Sequence, residues 1–90
     1  MYAALVSVTI DPTQVEAAQS MLREQVVPMV KASPGFVAGY WLQPENGKGF
    51  SMVLFDTEDQ ARAAAPPVGS SPSPAVTIDT VEFQEVAAYA

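Results

Sequence analysis

Two residue types that carry much of protein chemistry are missing from this chain: its 90 residues include no histidine and no cysteine. Their absence removes the usual general base near neutral pH, the thiolate nucleophile, zinc-thiolate sites and the commonest proximal ligand of haem iron. No catalytic residue can be named from sequence, and neither a metal site nor a cofactor is expected. The groups left with chemical interest are Tyr40, Trp41 and Arg62. Tyr40 and Trp41 are adjacent in a strand-like segment and point to opposite sheet faces. Whichever lines a cavity could stack on an aromatic ligand and offer a phenol or indole hydrogen bond, and otherwise it packs the core. Arg62, one of four cations, could meet an anionic substrate at a cavity mouth, or it is a solvated helix residue.

Other constellations have structural readings. Glu82 and Glu85 lie on opposite parities of the last strand and do not converge. Asp56, Glu58 and Asp59 sit where a helix begins, and there they complement the helix dipole. The run Ser70-Ser71-Pro72-Ser73 has neither the strand–turn–helix setting of a nucleophile elbow nor a base. Gly47-Lys48-Gly49 is too short for a phosphate loop.

The elements that must position these groups follow from periodicity. Tyr2 to Ile10 reads as a strand, with Tyr2, Ala4, Val6, Val8 and Ile10 on one face. Asp11-Pro12-Thr13-Gln14 is expected to open a helix, with Asp11 as cap, Pro12 in the first turn and Gln14 as capping-box partner. Its apolar stripe is Val15, Ala18, Leu22, Val26 and Met29 or Val30, with Arg23 off the stripe. Pro28 predicts a kink or break, because its ring displaces the carbonyl of Glu24 and it donates no amide bond. Phe36 to Leu42 and Phe50 to Phe55 form a hairpin around Asn46-Gly47, the pair suited to a tight type I′ turn, with Glu45 and Lys48 as a cross-strand pair. Pro44 marks an edge strand. Thr57-Glu-Asp-Gln60 opens a short second helix that Pro66-Pro67 ends, a loop expected to be extended runs from Pro66 to Pro74, and a last strand runs from Val76 to about Ala88. Untidy alternation in that strand predicts a bulge or a change of exposure. The result is one α+β domain, residues 1–90: a ferredoxin-like βαββαβ unit with a four-stranded antiparallel sheet in the order 4-1-3-2.

Ten acidic residues against four cations give a formal charge of −6, which disfavours nucleic acid as a partner. No apolar run is long enough to span a membrane, and Met1 leads straight into strand pattern, so a cytoplasmic protein is expected. Both crossovers land on one side of the sheet and leave the other side bare. Along the hairpin, Phe36, Ala38, Tyr40 and Leu42 oppose Val37, Gly39 and Trp41, while Phe50, Met52 and Leu54 oppose Ser51, Val53 and Phe55, so neither face alternates apolar with polar as a wetted one should. A chain this short also buries only about 60% of its unfolded surface. A homodimer through the open sheet faces is the expectation.

Several segments together resemble the dimeric α+β barrel superfamily, and within it the small antibiotic-biosynthesis-monooxygenase-like proteins. They are Asp11-Pro12 before the first helix, Ser33-Pro-Gly-Phe-Val-Ala-Gly-Tyr-Trp-Leu42, Gly47-Lys-Gly49 in the hairpin, and Phe55-Asp-Thr-Glu-Asp-Gln-Ala61. The resemblance implies protomers paired face to face into a barrel, each with a small apolar cavity between helices and sheet. It also implies an activity: members include cofactor-independent oxygenases of quinol-like aromatics, and haem-degrading enzymes. Active members commonly carry a histidine near the second helix, and residues 56–62 here have none, which argues against histidine-ligated haem degradation. The functional expectation is cofactor-independent oxidation of a small aromatic substrate. The alternative is a non-catalytic module binding a small apolar or aromatic ligand.

Overall fold

The computed structural model describes residues 1–71 and 74–90. Strands β1 (Tyr2–Ile10), β2 (Phe36–Trp41), β3 (Lys48–Phe55) and β4 (Val76–Glu85) form one antiparallel sheet in the order β2-β3-β1-β4. Between β1 and β2 run α1 (Val15–Met21), a π turn (Leu22–Val26) and α2 (Val27–Lys31), and α3 (Glu58–Ala64) joins β3 to β4. The element order and the edge position of β2 match the sequence expectation. No helix among the described residues is long and apolar enough to cross a membrane.

The first helix starts later than its sequence suggests. Asp11 spends its carboxylate on the Thr13 amide (2.9 Å) and hydroxyl (2.7 Å), closing a turn instead of capping, and Val15 becomes the first helical residue with no side-chain cap at Gln14. Pro28 acts where expected, and its defect is absorbed as a π turn. The Val27 amide reaches back to the Leu22 carbonyl, five residues earlier, widening the backbone just ahead of the ring that cannot donate. α3 is capped as expected, Thr57 Oγ1 accepting from the Gln60 amide at 3.2 Å.

Two bulges set the sheet faces. Phe36 pairs with Phe55 and Ala38 with Leu54, so Val37 is extruded. Phe36 thereby joins Trp41 on the helix-covered face, and the expected grouping of Phe36 with Ala38, Tyr40 and Leu42 is corrected. On β4 the register steps past Asp79, which puts Val76, Ile78, Val81 and Phe83 on the same side despite their mixed parity. Asn46 (φ 54°) and Gly47 (φ 73°) supply the two positive angles of the hairpin turn. Glu45 and Lys48 bridge there through their backbones, while the Lys48 side chain turns to Asp79 (3.7 Å) and Thr9 (2.8 Å). The loop after Pro66 is not extended as expected. It folds back on β4 through Gly69 N–H to Ile78 O (2.8 Å) and Ile78 N–H to Ser70 O (2.9 Å). Pro72 and Ser73, part of that loop and of the serine run, lie outside the described residues.

The core lies mainly on the helix side, in two small clusters, with Ala3 buried on the other face. Ala4, Val53, Phe55 and Ala61 make one, flanked by Tyr2, Phe36, Trp41 and Phe83, with Phe36 and Phe55 edge to face at 6.3 Å. Ile10, Ala18 and Ala75 make the other. The opposite sheet face is split. Toward β2 and β3 it exposes Tyr40, Leu42, Phe50 and Met52, and toward β4 it is polar, with Ser7 bonded to Thr80 and Thr9 to Asp79.

Candidate functional site

Alanines face the sheet from both helices, Ala18 from α1 and Ala61 and Ala64 from α3, and they are too small to fill the space below them. What remains is a cavity of about 470 Å³ bordering both core clusters. It opens to solvent along one side, where the exposed Met29 borders it. The floor is Ala4, Val6, Val8 and Ile10 of β1 with Gly49, Ser51, Val53 and Phe55 of β3, closed at the sides by Trp41 and by Val76 and Ile78. The roof is Ala18, Leu22, Val26, Met29 and Val30, which belong to the apolar stripe read from the sequence, together with Met21, which does not; Val15 of that stripe is not part of the lining.

Trp41 is the aromatic of the adjacent pair that reaches this cavity. Its ring lies over Gly39, where an added β-carbon would come within 2.7 Å of two ring carbons, so the missing side chain at 39 is what lets the indole lie flat along its own strand. Ser51 is its cross-strand partner and also lines the space. Tyr40 points to the other face and is 54% exposed there. Arg62 is not among the lining residues. Its guanidinium binds Glu58 one turn back at 2.8 Å and lies 4.5 Å from the centre of the Phe83 ring, a cap over the end of the core.

Arg23 does line the cavity, and sequence periodicity missed it. In a regular helix it falls off the apolar stripe. Gln19, Leu22, Arg23, Val26 and Val30 recur at spacings of three and four, so Arg23 lies at the edge of the face turned to the sheet and borders the cavity beside Leu22. The available signal was its spacing of three and four from Val26 and Gln19.

The remaining polar lining is Gln19, Gln43, Ser51 and the Trp41 indole, with no Asp, Glu, Lys or Tyr. Among the described residues no group of three or more acidic, histidine or cysteine side chains is placed to hold a metal. The perturbed titrating groups lie outside. Tyr2 has its phenol pushed up, chiefly by the negative charge of Glu85, then by burial and Glu58. Asp11 is held below the usual carboxylate range, chiefly by the Thr13 amide.

No model of a protein family matches the chain, and no curated protein matches it. Solved structures do. The haem degrader MhuD of Mycobacterium tuberculosis, solved with two haems in its active site, superposes with a TM-score of 0.77 at 16% identity, over 100% of this chain and 99% of its own. An arginine-to-serine mutant of MhuD with two manganese protoporphyrin IX molecules per active site gives 0.77 at 16% identity over 100% and 98% of the two chains. A haem-free, cleaved form of the M. tuberculosis protein gives 0.65 at 16% identity over 100% and 99%. This likeness is one of fold: the chain has the ferredoxin-like α+β fold of the antibiotic-biosynthesis-monooxygenase-like proteins. The residues around its cavity do not suit haem held through iron. Histidine, cysteine and tyrosine, the usual single axial ligands, are all missing from the lining, which offers iron only the thioethers of Met21 and Met29.

Proposed function

We propose that this chain, built on the monooxygenase-like fold, holds a small flat aromatic molecule in the cavity beneath α1 and lets dioxygen oxidise it without a cofactor when that molecule is quinol-like. The cavity itself carries the reading. About 470 Å³ of apolar space with a few placed polar groups is the usual form of a small-molecule site. Trp41 supplies a ring face for stacking and an indole N–H for a substrate oxygen.

The lining holds no base or nucleophile, so the electrons must come from the substrate. A phenol with a hydrogen para to its hydroxyl ionises to water at the cavity mouth. The phenolate then gives an electron pair from the para carbon to O2, forming a C–O bond to a peroxide. Breaking the O–O bond with loss of the para hydrogen leaves a para-quinone. One oxygen stays as the new carbonyl and the other departs as water, so the substrate supplies all four electrons. The protein's part is to orient the ring on Trp41 and to keep bulk water from the reacting carbon with the valine and isoleucine floor.

Incubation of the protein with phenols and dihydroxynaphthalenes that keep a hydrogen para to a hydroxyl, in air, following oxygen uptake and quinone absorbance, tests this. A rate above buffer that is lost in a cavity-filling Val26→Trp variant supports the reading. No rate with any compound overturns the oxidative part. A second reading, ligand binding without turnover, is favoured by the lack of any titratable carboxyl, phenol or amine in the lining. It predicts that such compounds quench the lone tryptophan, Trp41, and are released unchanged.

A homodimer belongs to the same proposal. Tyr40, Leu42 and Phe50 are 54%, 60% and 58% exposed on the bare half of the sheet, a contiguous apolar surface that a second copy would cover, with Tyr40 working at that interface. The polar β4 half would stay at its rim.

A further inference from the structure

Resting on the reading of the cavity as a ligand site, we infer that its ligand carries an anionic group, a carboxylate, sulfonate or phenolate, and that Arg23 binds that group at the rim. The argument is one of charge placement. The chain is strongly acidic at −6, with ten carboxylates and four cations. None of those carboxylates lines the cavity, and one cation, Arg23, does. The formal charge of the lining is therefore opposite to that of the molecule around it.

Arg23 is also uncommitted. Lys48 and Arg62 are held by Asp79 and Glu58, whereas Arg23 forms no ion pair among the described residues. Its helical neighbours explain why: Gln19 and Val27 lie four residues away, and Ser20 and Val26 three, none of them charged. A guanidinium offers five donors in a planar fork that suits an oxyanion, and the low-dielectric wall on one side strengthens its pull on an anion entering the cavity. Trp41 and the apolar floor would then take the ring, and Arg23 the charge. This disposition also separates the site from one built to hold haem through its iron, because recognition falls on the ligand's periphery and needs no axial donor.

The test uses two fluorescent probes that share an anilino-naphthalene framework, anilinonaphthalene sulfonate and the neutral phenylnaphthylamine, titrated into wild type, Arg23→Gln and Arg23→Lys. The expected result is a sulfonate affinity weakened about tenfold in Arg23→Gln and less in Arg23→Lys, with the neutral probe unchanged within about twofold in both. Added salt should narrow the difference between wild type and Arg23→Gln. Loss of both probes to the same degree in Arg23→Gln, or of neither, overturns the role of Arg23 and leaves the ligand-site reading standing. Failure of both probes to bind wild type overturns the ligand site itself, and this inference with it.

Discussion

The side-chain amide of Gln60, at the start of α3, fills the space that a β-carbon would need on Gly35, at the turn into β2. Gly35 holds φ of 78°, and its carbonyl accepts the Asp56 amide at 2.9 Å, so the turn, the end of β3 and α3 are fastened at one point. Gln60 Oε1 is buried there without a hydrogen-bond partner, a cost accepted for close packing.

Replacing that glycine should therefore be expensive twice over. Gly35→Ala is expected to lose about 2 kcal/mol in urea unfolding, from about 1 to 2 kcal/mol for a side chain at positive φ plus displacement of the Gln60 amide. Gln60→Ala should recover the second part and not the first. Strict additivity of the two substitutions would show that the residues do not compete for the same space.

Gly39→Ala addresses the cavity. A methyl group at 39 meets the far edge of the Trp41 ring and must swing the indole off its strand toward the cavity. Trp41 emission should shift, and probe affinity should fall several-fold with little loss of fold, because the atoms that give way are the end of a side chain. An unchanged spectrum with unchanged affinity would place the ring elsewhere.

The open face makes a prediction about mass. The chain weighs 9.5 kDa, and light scattering at micromolar concentration should report twice that. Phe50→Lys or Met52→Lys should return it to the single-chain value without unfolding it, since both side chains are exposed in the isolated protomer. A monomeric wild type would remove the dimer from the proposal.

Stability should depend on pH through two groups outside the cavity. Tyr2 has a folded-state pKa raised above its ordinary value near 10, chiefly by Glu85, so the neutral phenol is favoured in the native state. Its contribution is intact below that value and is lost as pH rises through the folded pKa. Tyr2→Phe should flatten the alkaline limb of a stability–pH curve. Asp11 behaves oppositely. Its pKa is depressed by the Thr13 amide and hydroxyl, so its contribution is present above the ordinary carboxylate range and is lost as pH falls through the folded value. Asp11→Ala should remove that part of the acid limb, and an unaltered limb would show that the Asp11 turn contributes nothing to it.

The hairpin at Asn46-Gly47, the cap at Thr57 and the apolar stripe of the first helix were legible in the sequence because each rests on residues close in the chain or on a strict period, and strand order followed because the βαββαβ succession leaves few ways to connect the strands. The missing histidine and cysteine were equally legible and removed whole classes of chemistry. Register and volume were not. The untidy alternation of β4 announced a bulge but not its place; the register steps at Val37 and Asp79 move Phe36, Val81 and Phe83 onto the helix side against their parity, and Arg23 rather than Arg62 borders the cavity, Arg62 capping Phe83. These outcomes depend on how strands and helices far apart in sequence relieve one another's misfits. The cavity is likewise a difference between the span of the sheet and the bulk of the alanines laid over it, a quantity that no local segment contains.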